Sequence, residues 1–208
     1  SISETSGSNH EGIDLKKFAY DVDIRNEYRK RLKIPEDSIV IGHVGRFSMQ
    51  KNHMFLIDIF AELKKKYSNC KLLLIGSGEM QEDVSAKVKN IGLIDDVIFV
   101  GNVDNVNVYM QVMDIFVLPS LYEGLPIVGV EAQAAGLPIV VSTNVSSELK
   151  LTENVSYVEL DNTTAWVAEI VKYMYVGRLD NQQMLIEKGY DVKSTARLLQ
   201  NMYENITS

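Results

Sequence analysis

The chain has 208 residues, of which 46% are hydrophobic and 24% charged, so it is long enough to bury one sizeable core. Its formal net charge of -7 argues against a nucleic-acid-binding protein, which usually presents a basic surface. Its one cysteine, Cys70, excludes an internal disulfide, and no apolar run reaches the length of a membrane span. These properties predict a cytoplasmic protein.

Apolar runs and helical spacings alternate along the chain. Residues 1–11 are polar and aperiodic, so we interpret them as a linker or an added tail before one domain over 12–208. Strands are predicted at 38–44, 71–75, 97–100, 114–118, 138–141 and 156–160. Helices are predicted at 24–32, 52–67, 80–90, 103–112, from Pro126 onward, and at 164–176 and 192–206. This alternation predicts a doubly wound, Rossmann-like α/β fold with a parallel sheet covered on both faces.

Four loops that carry candidate functional residues follow predicted strands, at 45–51, 76–79, 101–102 and 119–125. Ligands of doubly wound sheets bind beyond the carboxyl ends of the strands. Because all four loops lie at that edge, the sequence predicts one binding site there.

The loop between the fourth predicted strand and the next helix is the most informative. Pro126 suits the first helical position, where its missing N–H costs nothing. The amides of Gly124 and Leu125, with those of the first helical residues, would then lie unpaired at the positive end of the helix dipole. Such a helix start is a ready site for phosphate.

Two glutamates separated by seven residues, Glu123 and Glu131, flank this anion site. Carboxylates accept hydrogen bonds from sugar hydroxyls, so phosphate donors between two carboxylates describe a pocket for a sugar nucleotide. A second interpretation of Glu123 is a carboxylate that the helix dipole favours. The second interpretation of Glu131 is a surface charge, which the apolar neighbours on its helix argue against, since an unpaired buried carboxylate is costly.

Two cations, Arg46 and Lys51, lie on the loop that follows the first predicted strand. A guanidinium can bind two phosphate oxygens, and an ammonium can neutralise a neighbouring charge. Together they would offset the charge that develops on a nucleoside-diphosphate leaving group. Taken alone they are solvated surface cations, but the preceding Gly45 and the glutamate loop favour a phosphate site.

Five segments carry a family resemblance: GIDLKKF (12–18), VGRFSMQKN (44–52), LLLIGSGE (72–79), VIFVGNVDNV (97–106) and MDIFVLPSLYEGLPIVGVEAQAAGLPIVVS (113–142). With them the chain resembles the C-terminal, nucleotide-binding half of GT-B glycosyltransferases of family 4. These are the "group 1" retaining enzymes, and the chain is most similar to those that build capsule or exopolysaccharide. The Glu-x7-Glu loop together with the upstream Gly-Arg-x4-Lys is the most specific part of this resemblance.

The resemblance implies a role for each matching residue. Arg46, Lys51 and Glu123 are the candidate catalytic residues, with Glu123 contacting the transferred sugar. Glu131 accepts from the ribose hydroxyls. The other candidate substrate-binding residues are Gly45, Gly78, Val100, Gly101, Ser120, Gly124, Leu125 and Pro126, with the backbone of Val100 and Gly101 near the base.

The resemblance also implies the reaction: transfer of a hexosyl group from a nucleoside-diphosphate sugar to a hydroxyl acceptor, with no metal and no cofactor. UDP is favoured over GDP. The acceptor site belongs to an N-terminal domain absent from this chain, and any contact with the inner face of the membrane belongs there too. The chain alone is therefore expected to bind nucleotide weakly and to transfer little sugar. The alternative is a regulatory α/β module that binds a nucleotide without catalysis.

Some residues remain open to two interpretations. The Gly76–Glu79 segment (GSGE) either brings backbone close to a nucleotide or forms a tight turn. Ser120 either donates to a phosphate or closes its strand, and the second is favoured. His43 is expected in the core and His53 on the surface.

Overall fold

The computed structural model describes residues 12–192 and residue 200. The strands are β1 (Ile39–Val44), β2 (Cys70–Ile75), β3 (Val97–Gly101), β4 (Ile115–Leu118), β5 (Ile139–Ser142) and β6 (Val155–Val158). The helices are α1 (Leu15–Phe18), α2 (Val22–Arg31), α3 (His53–Lys66), α4 (Gln81–Asn90), α5 (Val106–Val112), α6 (Ile127–Ala134), α7 (Thr163–Tyr173) and α8 (Gln182–Glu187), with a 3-10 helix at Ser147–Leu149.

All six strands form one sheet in the order β3-β2-β1-β4-β5-β6, and every pairing is parallel. The predicted doubly wound α/β fold is therefore confirmed. Ile41 of β1 lies opposite Leu72 of β2 on one side and Ile115 of β4 on the other. The strand order reverses at this point, so the loops that follow β1 and β4 diverge from a crevice at the carboxyl edge, where such folds bind their ligands.

Alternate side chains of the strands enter two separate hydrophobic layers. Val40, Phe116 and Val141 pack on the layer that α1, α5, α6 and α8 cover. Residues one position away, such as Ile41 and Val117, pack against α3, α4 and α7, where the Trp166 side chain is fully buried. Burial on both faces explains why the strands are apolar at nearly every position.

Most observed boundaries lie within two residues of the predicted ones, and α7 ends three residues early, at Tyr173. The fourth predicted helix starts at Val106 rather than at 103, because Val103 packs against the core from the preceding loop and imitates helical spacing. The short helices α1 and α8 were not predicted, since four to six residues show too little periodicity. The helix predicted over 192–206 lies almost wholly outside the described residues. Within the described part of the chain, no helix has both the length and the apolar character needed to cross a membrane.

Candidate functional site

Lys51 reaches the carboxyl edge of the sheet across the backbone of Gly45. A Cβ atom placed on Gly45 would lie 3.3 Å from both Cδ and Cε of Lys51, and 3.2 Å from Nε2 of His43. The space that the glycine leaves open is therefore filled by the methylene groups of the lysine. A Cβ at this position would push the lysine methylenes or the His43 ring aside by a few tenths of an ångström.

The Lys51 ammonium forms an ion pair with the Glu123 carboxylate across the crevice. Both side chains are mostly buried, at 16% and 13% exposure. The second carboxylate oxygen of Glu123 accepts a hydrogen bond of 2.7 Å from Ser120 Oγ. Two predicted catalytic residues, one after β1 and one after β4, are thus in direct contact. Ser120 does more than close its strand, because its hydroxyl holds Glu123 in place.

Backbone and amide hydrogen bonds fasten the two loops together around this pair. The Leu121 amide donates to the Gln50 carbonyl at 2.8 Å, and the Gln50 side chain donates to the Tyr122 carbonyl at 3.0 Å. Asn52, which adopts a left-handed backbone conformation (φ 62°), donates to the Pro119 carbonyl at 3.0 Å. The two loops form one unit, which fixes the backbone positions of Lys51 and Glu123 relative to each other.

Arg46 lies on the exposed rim of the crevice, on the same loop as Lys51. Its guanidinium pairs with the Glu79 carboxylate at 2.9 Å, and the two side chains are 70% and 58% exposed. Behind this pair, a Cβ on Gly76 would lie 2.1 Å from the Gly45 carbonyl oxygen, and a Cβ on Gly78 would lie 2.4 Å from the Phe47 carbonyl oxygen. Both glycines are therefore required by the packing of two loops, which supports the tight-turn interpretation of this segment.

The helix start that was predicted to bind phosphate is present, with one correction. Pro126 is the N-cap, with extended backbone (ψ 118°), and the first helical residue is Ile127, so the prediction for Pro126 was wrong by one position. The Pro126 carbonyl already accepts from two later amides, which fixes it just outside the helix. Among the described residues, the amides of Gly124, Leu125, Ile127 and Val128 donate to no protein acceptor. These amides remain available to an anion.

Glu131 lies on α6, about one turn beyond this helix start, and is partly buried. No hydrogen-bond donor or cation among the described residues forms a hydrogen bond or ion pair with its carboxylate. Burial raises the pKa of this carboxyl to about 7, and the charge of Lys17 opposes the shift only in part. A half-buried carboxylate without a partner is costly, so the site is suited to receiving hydroxyl donors.

The raised pKa of Glu131 predicts a pH-dependent stability. The unfolded chain releases this proton near the ordinary value of 4.5, whereas the folded chain keeps it up to about pH 7. The folded state therefore holds this proton where the unfolded state does not, and the contribution of Glu131 to stability falls as the pH rises through this window. Glu131→Gln cannot titrate and keeps both buried histidines, so between pH 5 and pH 8 its free energy of unfolding should increase relative to that of the wild type. Urea unfolding of both proteins at the two pH values tests this, and an equal change in the two proteins would contradict it.

Val100 and Gly101, expected near the base, end β3 on the same edge. A cavity of about 300 Å³ opens beside them. It is lined by Val44, Gly45, Arg46, Ile75, Gly76, Ser77, Asn102, Val103 and Val106. The Gly101 carbonyl accepts from the Gly76 amide at 2.8 Å, so this backbone group is already engaged.

Both histidines near the site are buried and neutral. His43 is in the core as expected, and its Nδ1 donates to the Val117 carbonyl at 2.8 Å. His53 was predicted on the surface, which was wrong. It is 1% exposed, because the first turn of α3 directs it inward to stack on Phe47 at 4.1 Å between ring centroids. Burial lowers the pKa of His43 to about 4 and that of His53 to about 2.

A match to one sequence profile identifies the protein family of this chain. The sequence profile of the glycosyl transferases group 1 matches residues 24–192, most of the chain and all of the site described above. The chain belongs to this glycosyltransferase family.

Curated members of the glycosyltransferase family with similar sequences include proteins named for polysaccharide biosynthesis. The chain is 35% identical over 199 residues to a putative glycosyltransferase EpsF of Bacillus subtilis, covering 92% of this chain and 51% of that protein. It is 29% identical over 184 residues to the capsular polysaccharide biosynthesis glycosyltransferase CapH of Staphylococcus aureus, covering 86% and 50%. The chain thus spans about half the length of these relatives.

Solved structures share the fold of this glycosyltransferase chain. Sucrose-phosphate synthase of Thermosynechococcus elongatus has a TM-score of 0.76 at 23% identity and covers 94% of this chain and 51% of its own. HepE of Anabaena, solved with UDP and glucose, has a TM-score of 0.75 at 21% identity and covers 95% and 55%. A C-terminal domain of a group 1 protein (LpcC) of Francisella tularensis has a TM-score of 0.73 at 22% identity and covers 87% and 100%.

Two further residues of this candidate site were not named from the sequence, although Asn102 lies in the 101–102 loop that was placed at this edge. Asn102 donates to Ser77 Oγ at 2.8 Å and forms one wall of the cavity. Asn144 donates to the Leu121 carbonyl at 2.8 Å, which braces the glutamate loop from β5. Both follow strands that end at the carboxyl edge, and that position is the signal that could have identified them.

No group of three or more His, Cys, Asp or Glu side chains within the described ranges could hold a metal ion.

Proposed function

We propose that this chain is the sugar-donor-binding domain of a retaining glycosyltransferase. In this proposal it binds a nucleoside-diphosphate hexose, from which the whole enzyme transfers the hexosyl group to a hydroxyl acceptor in polysaccharide biosynthesis. The observation that carries the proposal is the contact between Lys51 and Glu123 beside a helix start with unpaired amides. This arrangement places a cation, amide donors and a carboxylate in one crevice at the switch point of the sheet.

The crevice then offers a binding group for each part of a sugar nucleotide: the diphosphate, the ribose and the hexose. Lys51, Arg46 and the amides of Gly124 and Leu125 bind the diphosphate and stabilise its growing negative charge as the glycosidic bond breaks. Glu131 accepts from the ribose hydroxyls, whose donors lower the cost of its buried charge. Glu123 accepts from hydroxyls of the hexose. In this scheme the two side-chain cations stabilise the leaving group without a metal ion.

Relatives support UDP as the nucleotide. HepE of Anabaena was solved with UDP and with UDP-glucose. An Escherichia coli relative, 30% identical over 171 residues, is named for transfer from UDP-Gal to a diphosphoundecaprenol acceptor and covers 77% of this chain and 43% of itself. We therefore propose a UDP-hexose as the sugar donor, in preference to GDP-hexose.

The remaining parts of the reaction are assigned to a second domain. Because the chain spans about half of its relatives, we propose that residues 12–208 form one domain of a two-domain enzyme. The other domain supplies the acceptor site and any contact with the cytoplasmic face of the membrane. This chain alone then binds UDP-hexose but transfers little sugar.

A crystal structure of the chain soaked with UDP-glucose tests this assignment. The expected result has the diphosphate within hydrogen-bonding distance of Lys51 Nζ and of the Gly124 and Leu125 amides. The ribose hydroxyls should then lie against Glu131. Nucleotide bound elsewhere on the surface, with the crevice empty, would overturn the proposed function.

A further inference from the structure

We infer that the buried ion pair of Lys51 and Glu123 makes this site select a nucleotide that still carries its sugar over the free nucleoside diphosphate. The inference rests on the proposed function and deepens it, because it assigns the discrimination between substrate and product to one contact. The two residues act together: Lys51 binds the diphosphate, and Glu123 accepts hydrogen bonds that only an attached sugar can donate.

Both oxygens of the Glu123 carboxylate have a partner in this structure. One oxygen is paired with the Lys51 ammonium and the other accepts from Ser120 Oγ at 2.7 Å. A bound diphosphate attracts the same ammonium, since it offers stronger negative charge at the same place. Glu123 then keeps only the serine hydroxyl, in a site where its side chain is 13% exposed. A buried charge that loses its partner is strongly destabilised.

The sugar removes this penalty. When a hexose is bonded to the diphosphate, its hydroxyls lie next to the phosphates. They can donate to the carboxylate oxygen that Lys51 has released. A sugar nucleotide therefore satisfies both members of the ion pair, whereas UDP satisfies only Lys51. After transfer of the sugar, Glu123 again competes with UDP for the ammonium, which favours release of the product.

The second ion pair at the rim provides a comparison within the same molecule. Arg46 and Glu79 are 70% and 58% exposed, so water solvates Glu79 as soon as Arg46 turns to a phosphate. Breaking this pair costs little whether or not a sugar is present. Selectivity is therefore expected from the buried pair and not from the exposed one.

Calorimetric titration of the chain with UDP and with UDP-glucose tests the inference, using Glu123→Gln and, as matched control, Glu79→Gln. Glutamine keeps the size of Glu123 and the Ser120 hydrogen bond but does not compete for Lys51. We expect E123Q to bind UDP about tenfold more tightly than the wild type and to lose the preference for UDP-glucose. E79Q should change neither affinity by more than about twofold.

Two further variants separate this inference from simple charge repulsion. Ser120→Ala removes the last partner of the freed carboxylate, so it should weaken UDP binding and increase the preference for UDP-glucose. In a Lys51→Met background, E123Q should no longer tighten UDP binding. An equal gain for both ligands in E123Q, or a gain that persists without Lys51, would overturn the inference while leaving the proposed function intact. If the wild type bound neither ligand, the proposed function would fail as well.

Discussion

Replacing Asp114 with alanine should lower the free energy of unfolding by about 3–5 kcal/mol, because it leaves buried arginines without their counter-ion. Oδ1 of Asp114 pairs with Arg25 at 2.7 Å, and Oδ2 pairs with Arg29 at 2.7 Å. Oδ2 also accepts from the Val40 amide at 2.8 Å, which ties the start of β4 to β1. A third arginine, Arg178, packs nearby, and burial lowers its pKa to about 9, with Arg25 adding to the effect.

Urea unfolding at pH 7 measures this change. Glu79→Ala is the control, because it breaks an ion pair of similar length on the exposed rim and should leave the unfolding midpoint unchanged. Equal midpoints for Asp114→Ala and the wild type would show that the carbonyl groups at the end of α5, to which the arginines also donate, are sufficient to hold them.

Replacing Lys51 with methionine should weaken the binding of UDP-glucose about 100-fold. Methionine retains much of the length that packs over Gly45 but removes the ammonium that neutralises the diphosphate. The loss should exceed that of Arg46→Ala, because the Lys51 side chain is 16% exposed and the Arg46 side chain is 70% exposed. Water screens the more exposed charge.

Calorimetry of Lys51→Met beside Lys172→Met separates a local effect from a general loss of charge. Lys172 also pairs with a glutamate, Glu169 at 2.6 Å, but lies on α7 and is 65% exposed. K172M should bind UDP-glucose as the wild type does. A Lys51→Met protein that remains folded and binds within threefold of the wild type would remove Lys51 from the site.

The sequence predicted the architecture because the fold follows from local patterns. Apolar runs separated by helical spacing imply parallel strands with crossover helices, and the observed strand order confirms the doubly wound fold. The same logic predicted that the loops after β1 and β4 share one edge. The assigned roles of Arg46, Lys51, Glu123 and Glu131 stay predictions, although the structure brings Lys51 and Glu123 together.

The remaining features depend on contacts between distant residues. Lys51 and Glu123 are 72 positions apart, and nothing in either segment alone predicts that they pair. His53 looked like a surface residue because lysine and asparagine precede it, yet Phe47 and His43 enclose its ring. The counter-ion role of Asp114 was equally hidden, since its arginines lie on α2, far away in the sequence. Tertiary packing decides such cases, and local propensity does not.

Calorimetric titration of the wild-type chain with UDP, GDP and ADP tests most directly whether this domain binds a nucleotide donor. We expect one UDP per chain, bound more tightly than GDP and ADP, with binding about 100-fold weaker in Lys51→Met. A folded wild-type chain that binds none of the three, or that binds them equally with and without Lys51, would contradict the account.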